Sequence, residues 1–242
     1  MKKNILLTIL FFAISFESFA NNLIMGTPTV NGSTISFTIK WDNSWNVTTG
    51  PSNWDAVWVF VKRQTCVSGA TSPWIHADLA ASGHSVTGSQ LQIDTVTDSK
   101  GVFIRRNAAG IGNINQVTVT LALATAIGSD NIGVYGMEMV NIPQGQFYIG
   151  DGRTDYNSFS NGNSSNPKLI DATIQSNGLG IASNYQISNL GSSGSLPSTF
   201  PLGYNRFYCM KYEITAAQYV AFLNTLTYKQ QLRMQRDYNS NI

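Results

Sequence analysis

Thiols, imidazoles and clustered carboxylates carry most protein chemistry, and this sequence is sparing with all three. Its 242 residues hold two cysteines, Cys66 and Cys209, and two histidines, His76 and His84. The histidines stand in a loop-rich stretch with no Cys or His beside them at metal-ligand spacing, so they read as surface or hydrogen-bonded structural residues. Cys66 and Cys209 lie far apart. An oxidising compartment permits a bridge between them, but a single pair specifies no framework, and separate thiols are the preferred reading. Asp151-Gly152-Arg153-Thr154-Asp155 lacks the Asp-x-Asp-x-Asp-Gly order of a calcium loop and reads as a solvated loop. Asn107–Gly112 is a glycine-containing turn without the lysine and helix of a phosphate loop, and no Gly-x-Ser-x-Gly elbow is present. These patterns assign no catalytic, cofactor-binding or metal-ligating residue.

The tryptophans are distributed less evenly. All five, Trp41, Trp45, Trp54, Trp58 and Trp74, fall in the first third of the chain. Exposed indoles on a β-sheet can stack against sugar rings, which makes carbohydrate binding one functional reading. Trp54, Trp58 and Phe60 share one side of an apolar strand, and core packing is the expectation for them. Trp45, among Asp42, Asn43 and Asn46, is the candidate ligand-contacting residue.

The elements that would position these residues follow from hydropathy patterning. Ile35, Phe37, Ile39 and Trp41 alternate with Ser36, Thr38 and Lys40, the period-two signature of a half-buried strand. Val117, Val119, Leu121 and Leu123 repeat it. Ala56–Val61 is a continuous apolar run, expected of a strand covered on both faces. Leu91–Val96 and Gly101–Arg106 are weaker strand candidates around an Asp98-Ser99-Lys100 turn. Residues 22–127 are therefore expected to form a β-sandwich, with a seam at Gly128–Asn131. Beyond it, Met139–Ile142 and Gln146–Ile149 flank the turn Pro143-Gln144-Gly145. A Ser/Asn/Gly-rich stretch over 151–198 reads as a surface insertion or a partly disordered segment. Phe207–Ile214 is a further strand candidate. Thr215 and Gln218 form a capping box ahead of a helix whose Tyr219, Phe222, Leu223 and Leu226 share one apolar face.

At the N-terminus, Lys2 and Lys3 precede the apolar run Ile5–Ile14, and Ser18-Phe19-Ala20 offers small residues at a cleavage site. Residues 1–20 read as a secretory signal peptide, and the apolar run is shorter than the about 20 residues that span a bilayer. The expected location is exported, periplasmic or at the cell surface, with no membrane span after cleavage. Charged residues make up 12% of the chain and the net charge is +2, which gives no basis for nucleic-acid binding.

Residues 137–150, MEMVNIPQGQFYIG, and 206–224, RFYCMKYEITAAQYVAFLN, resemble the opening of the formylglycine-generating enzyme (sulfatase-modifying factor) family. Met139, Val140, Ile142, Pro143, Gly145, Phe147 and Gly150 match the first family block. Phe207, Tyr212, Glu213, Thr215, Gln218, Tyr219 and Phe222 match the second. Gln144 replaces a family glycine and Ile149 a methionine, and the intervening loop is longer than usual. The resemblance implies a C-type-lectin-like α/β domain, here partial over 137–242, following the β-sandwich in a mainly β chain. Catalytic members oxidise a substrate cysteine to formylglycine with copper and dioxygen, using two cysteines from the C-terminal half of the domain. No residue of this chain matches that pair, and Cys209 stands where the family carries an aliphatic residue. Glu213, where a strand hands over to a helix N-terminus, reads as structural. The expectation is a non-catalytic binding or assembly scaffold with no cofactor, whose partner is a surface protein or a glycan. The alternatives are an N-terminal fragment of a copper-dependent oxidase and a carbohydrate-binding module.

Overall fold

The computed structural model of the chain describes residues 22–67, 70–88, 90–150, 166–177, 179–180 and 195–234. The expected signal peptide, the Asp151–Asp155 loop, most of the polar insertion and the last residues lie outside the described residues. The chain is mainly β and its sheets are antiparallel. In chain order the strands are β1 (Ile24–Met25), β2 (Thr29–Asn31), β3 (Thr34–Asn46), β4 (Asp55–Gln64), β5 (Cys66–Val67), β6 (Ala70–Thr71), β7 (Ile75–His76), β8 (Ser85–Val86), β9 (Leu91–Thr95), β10 (Val102–Arg106), β11 (Gly110–Ala122), β12 (Asn131–Ile142), β13 (Phe147–Ile149), β14 (Lys168–Ile170), β15 (Leu179–Gly180), β16 (Ser195–Leu196) and β17 (Phe207–Met210). The helices are α1 (Ala172–Asn177), α2 (Ala216–Asn224) and α3 (Tyr228–Met234).

Two sheets dominate. The first runs β1-β3-β11-β8, with β2 also on β3; the second runs β17-β12-β4-β10-β9, with β7 also on β4. Both sheets contribute to one apolar core. Ile35, Phe37, Ile39 and Trp41 of β3 and Val119 and Leu121 of β11 meet Val57, Val59 and Val61 of β4 and Val102 and Ile104 of β10 there. The alternation dictates this, because a strand's side chains point to opposite faces and only one face of β3 is apolar. Each fully buried aliphatic side chain contributes about 1.5–3 kcal/mol relative to exposure. Two register shifts in the β11–β3 pairing flank Ile114, and Ile114 is buried in the same core.

On β4 the inward set is Val57, Val59 and Val61, so Trp58 and Phe60 point to the other face of the sheet. The expectation of core packing for the Trp54, Trp58 and Phe60 side is therefore corrected: these rings are half-buried on the outer face. There Trp58 meets Phe103 with centroids 4.7 Å apart, Phe103 stacks on Tyr208 at 3.9 Å, and Phe60 stacks on Tyr135 at 5.4 Å. Close packing beneath Trp58 explains Gly101: a Cβ at that position would lie 2.5 Å from the indole and 2.7 Å from the Val59 carbonyl oxygen. The preceding turn is held by the Lys100 amide, which donates to Asp98 Oδ1 at 3.0 Å.

The Gly128–Asn131 segment leads straight into β12. That strand pairs with β4 from Asn131 opposite Gln64 to Val140 opposite Asp55, so residues on both sides of position 137 belong to one sheet. Two glycines, Gly133 and Gly136, interrupt the hydropathy pattern in its first half. A Cβ on Gly136 would lie 2.5 Å from Met25 Sδ, so the glycine admits close approach of β1. The final residues of β12 pair with β17, with Met139 opposite Met210 and Ile142 opposite Phe207. The two segments that carry the family resemblance are thus neighbours in space.

Candidate functional site

Where β3, β4, β12 and β17 approach one another, three charged side chains leave solvent together. Asp55 opens β4, Glu138 lies on β12, and Lys211 directly follows β17. Register places them: Glu138 is opposite Val57, whose side chain faces the core, and the Lys211 amide donates to the Glu138 carbonyl at 2.9 Å. The Lys211 ammonium donates to Asp55 Oδ2 at 3.0 Å and to Glu138 Oε1 at 3.2 Å; the three side chains are 5%, 0% and 2% exposed. It also reaches the carbonyl oxygens of Asp42 and Asn43. The Asp55 carboxylate is surrounded by donors. Ser44 Oγ and the Trp45 amide donate to Oδ1 at 2.8 and 2.9 Å, and Trp41 Nε1 donates to Oδ2 at 3.0 Å.

Electrostatics at this cluster pull in both directions. Burial raises the Glu138 pKa, Lys211 pulls it down, and Asp55 and Asp42 push it up again; the net direction is upward. For Lys211 burial works downward, but the Asp55 charge and hydrogen bond, followed by Glu138, outweigh it and raise the ammonium's pKa. Glu138 Oε2 is buried without a protein hydrogen-bond partner, as are both side-chain polar atoms of Asn141.

Trp45, the candidate contact residue, borders this cluster. Its ring is half-buried, Nε1 donates to Asn53 Oδ1 at 3.0 Å, and the Lys211 ammonium lies 5.0 Å from the ring centroid. Trp54 carries the Arg105 guanidinium 4.6 Å above its ring and donates to the Tyr208 hydroxyl at 3.1 Å. Trp41 is fully buried, and Trp58 and Trp74 are half-buried.

The two histidines have different surroundings. His84 is engaged by backbone at both nitrogens: the Ala122 amide donates to Nδ1 at 3.1 Å, so Nε2 is the donor to the Ala80 carbonyl at 2.8 Å. It lines a shallow cleft of about 390 Å³ beside β8 and β9. His76 sits near Phe60, with centroids 5.8 Å apart, and burial followed by the charges of Lys62 and Lys100 lowers its pKa. Cys209 is an exposed free thiol, and Glu213 is exposed ahead of the helix. Among the described residues no group of three or more His, Cys, Asp or Glu side chains is placed to hold a metal ion.

A second surface is apolar. Thr215 caps α2, with the reciprocal Gln218 bonds of a capping box, but no residue of α2 is buried. Between α2 and the outer face of the second sheet lies an apolar groove of about 200 Å³, lined by residues that include Phe60, Tyr135, Met137, Ile214 and Phe222. Ile214, Tyr219, Val220, Phe222, Tyr228, Leu232 and Met234 are all exposed.

Sequence reasoning passed over Asp55, Glu138 and Lys211. The signal available was a single charge inside each of three apolar segments, WDAVWVFV, MEMV and CMKY. Comparison with known proteins finds no matching family model, no matching curated protein and no matching solved structure.

Proposed function

We propose that the chain is an exported, non-catalytic scaffold in which a β-sandwich carries a partial formylglycine-generating-enzyme-like segment and presents it to a protein partner in the periplasm or at the cell surface. The observation that supports this reading most is the number of exposed large apolar side chains over 214–234, Ile214, Tyr219, Val220, Phe222, Tyr228, Leu232 and Met234. Monomeric soluble proteins rarely leave large apolar patches uncovered, and such patches mark interaction surfaces. The Lys211 cluster supports it further, because it fixes the residues before α2 to the two-sheet body. A carbohydrate reading has less behind it, since the Trp45 indole is already committed to Asn53 and Lys211.

The test is the native size of the protein in envelope fractions of its host. Wild type is expected in a complex larger than the monomer, and a Val220→Glu/Phe222→Glu variant with unchanged circular dichroism is expected as the monomer. Identical monomeric migration of both would contradict the proposal.

A further inference from the structure

The cluster of Asp55, Glu138 and Lys211 has the composition and geometry of a self-modification site. We infer that Lys211 Nζ and Asp55 Cγ condense into an intramolecular amide, with Glu138 relaying the proton between them. The three side chains are almost wholly withdrawn from solvent, the amine lies 3.0 Å from a carboxylate oxygen, and a second carboxylate lies 3.2 Å from the same nitrogen.

The step balances without any co-reactant. Nζ attacks Cγ of Asp55, the new C–N bond forms, and the bond from Cγ to Oδ2 breaks. Of the three ammonium protons one remains on the amide nitrogen. The other two end on Oδ2, which leaves as water; Glu138 Oε1 accepts one of them from Nζ and returns it to Oδ2. Oδ1 stays as the amide oxygen. During the attack it develops negative charge, and two donors already point at it, Ser44 Oγ at 2.8 Å and the Trp45 amide at 2.9 Å. Preorganised donors at a developing oxyanion are a common source of rate acceleration.

Two physical arguments favour condensation over a permanent ion pair. Holding both reactants in one geometry gives effective molarities of about 10⁵–10⁸ M, which lowers the barrier to attack of the amine on the carboxyl carbon. Two desolvated charges are also expensive to keep, and their attraction often fails to repay the desolvation. The amide replaces them with one neutral group that keeps the Ser44 and Trp45 hydrogen bonds. Asp55 and Lys211 are 156 residues apart in sequence, so the bond would close most of the described chain into a covalent ring. The Lys211 ammonium is stabilised by both carboxylates, so the reaction is expected to be slow, completing after folding.

Intact mass spectrometry of the full chain, taken in denaturant, reads the result. Wild type is expected lighter than its own sequence mass by one water, with a branched tryptic peptide joining the Asp55 and Lys211 segments. Lys211→Arg and Glu138→Gln are both expected at full sequence mass. Wild type at full mass, with Lys211 open to reductive methylation once unfolded, would overturn the inference and leave an ion pair only. A Lys211→Arg chain that still lacks a water would overturn the choice of lysine. A Glu138→Gln chain as light as wild type would overturn the relay role.

Discussion

Asp55 illustrates how one side chain can organise a region. It accepts from Trp41, Ser44 and the Trp45 amide on β3, and from Lys211 beyond β17. It therefore ties the two sheets to the C-terminal segment. Truncating one partner of a buried charge cluster leaves the others without compensation, a loss of about 3–5 kcal/mol. Lys211→Ala should accordingly lower stability by at least that amount in urea denaturation, and a loss well under 1 kcal/mol would show that the cluster is not structural. His76 offers a pH test. Its folded pKa is lowered, so the unfolded chain binds the proton more readily, and the group's contribution is present above 6.5 and lost as pH falls through the folded value. Its ring resonances followed by NMR should titrate below 6.5, and Lys62→Gln should move the midpoint back upward. A midpoint at or above 6.5 would contradict the charge environment described.

Within single elements, much of the architecture is readable from residue order. The alternation in Ile35–Trp41 and Val117–Leu123 foretells the strand faces of β3 and β11, and the Thr215/Gln218 pair foretells the start of α2. Thr215→Ala should remove the side-chain oxygen that accepts from the Gln218 amide, while the Thr215 amide can still donate to Gln218 Oε1, and destabilise the helix by about 1 kcal/mol, measurable as faster amide exchange over residues 216–220. Unchanged exchange would mean the cap contributes nothing. Gly101→Ala should be destabilising, because its Cβ meets the Trp58 ring and the Val59 carbonyl oxygen rather than open space. A loss of about 1–3 kcal/mol is expected from such overpacking, read from the thermal midpoint. Less legible were Gly133 and Gly136, which hide the first half of β12. The aromatic outer face was also hidden, since Trp58 and Phe60 look like core residues until the sheet's two sides are told apart. The charge cluster was hidden for a related reason: nothing local links Asp55, Glu138 and Lys211, and only strand register brings them together.

At the scale of the whole molecule, a two-sheet body with a common apolar core carries a short helical segment with several exposed apolar side chains. Hydrophobic periodicity in α2 was apparent from Tyr219, Phe222, Leu223 and Leu226, yet periodicity alone says that a face is apolar and not what covers it. In this structure Tyr219 and Phe222 remain exposed. Among the described residues no helix is long and apolar enough to cross a membrane. The account then rests on a protein partner over residues 214–234. The most direct measurement is site-specific photo-crosslinking in the native host, with the probe at Val220 and, as a control, at exposed Lys40 on β3. A discrete higher-mass adduct from position 220 and none from position 40 is the predicted result. No adduct from either position, or equal adducts from both, would contradict it.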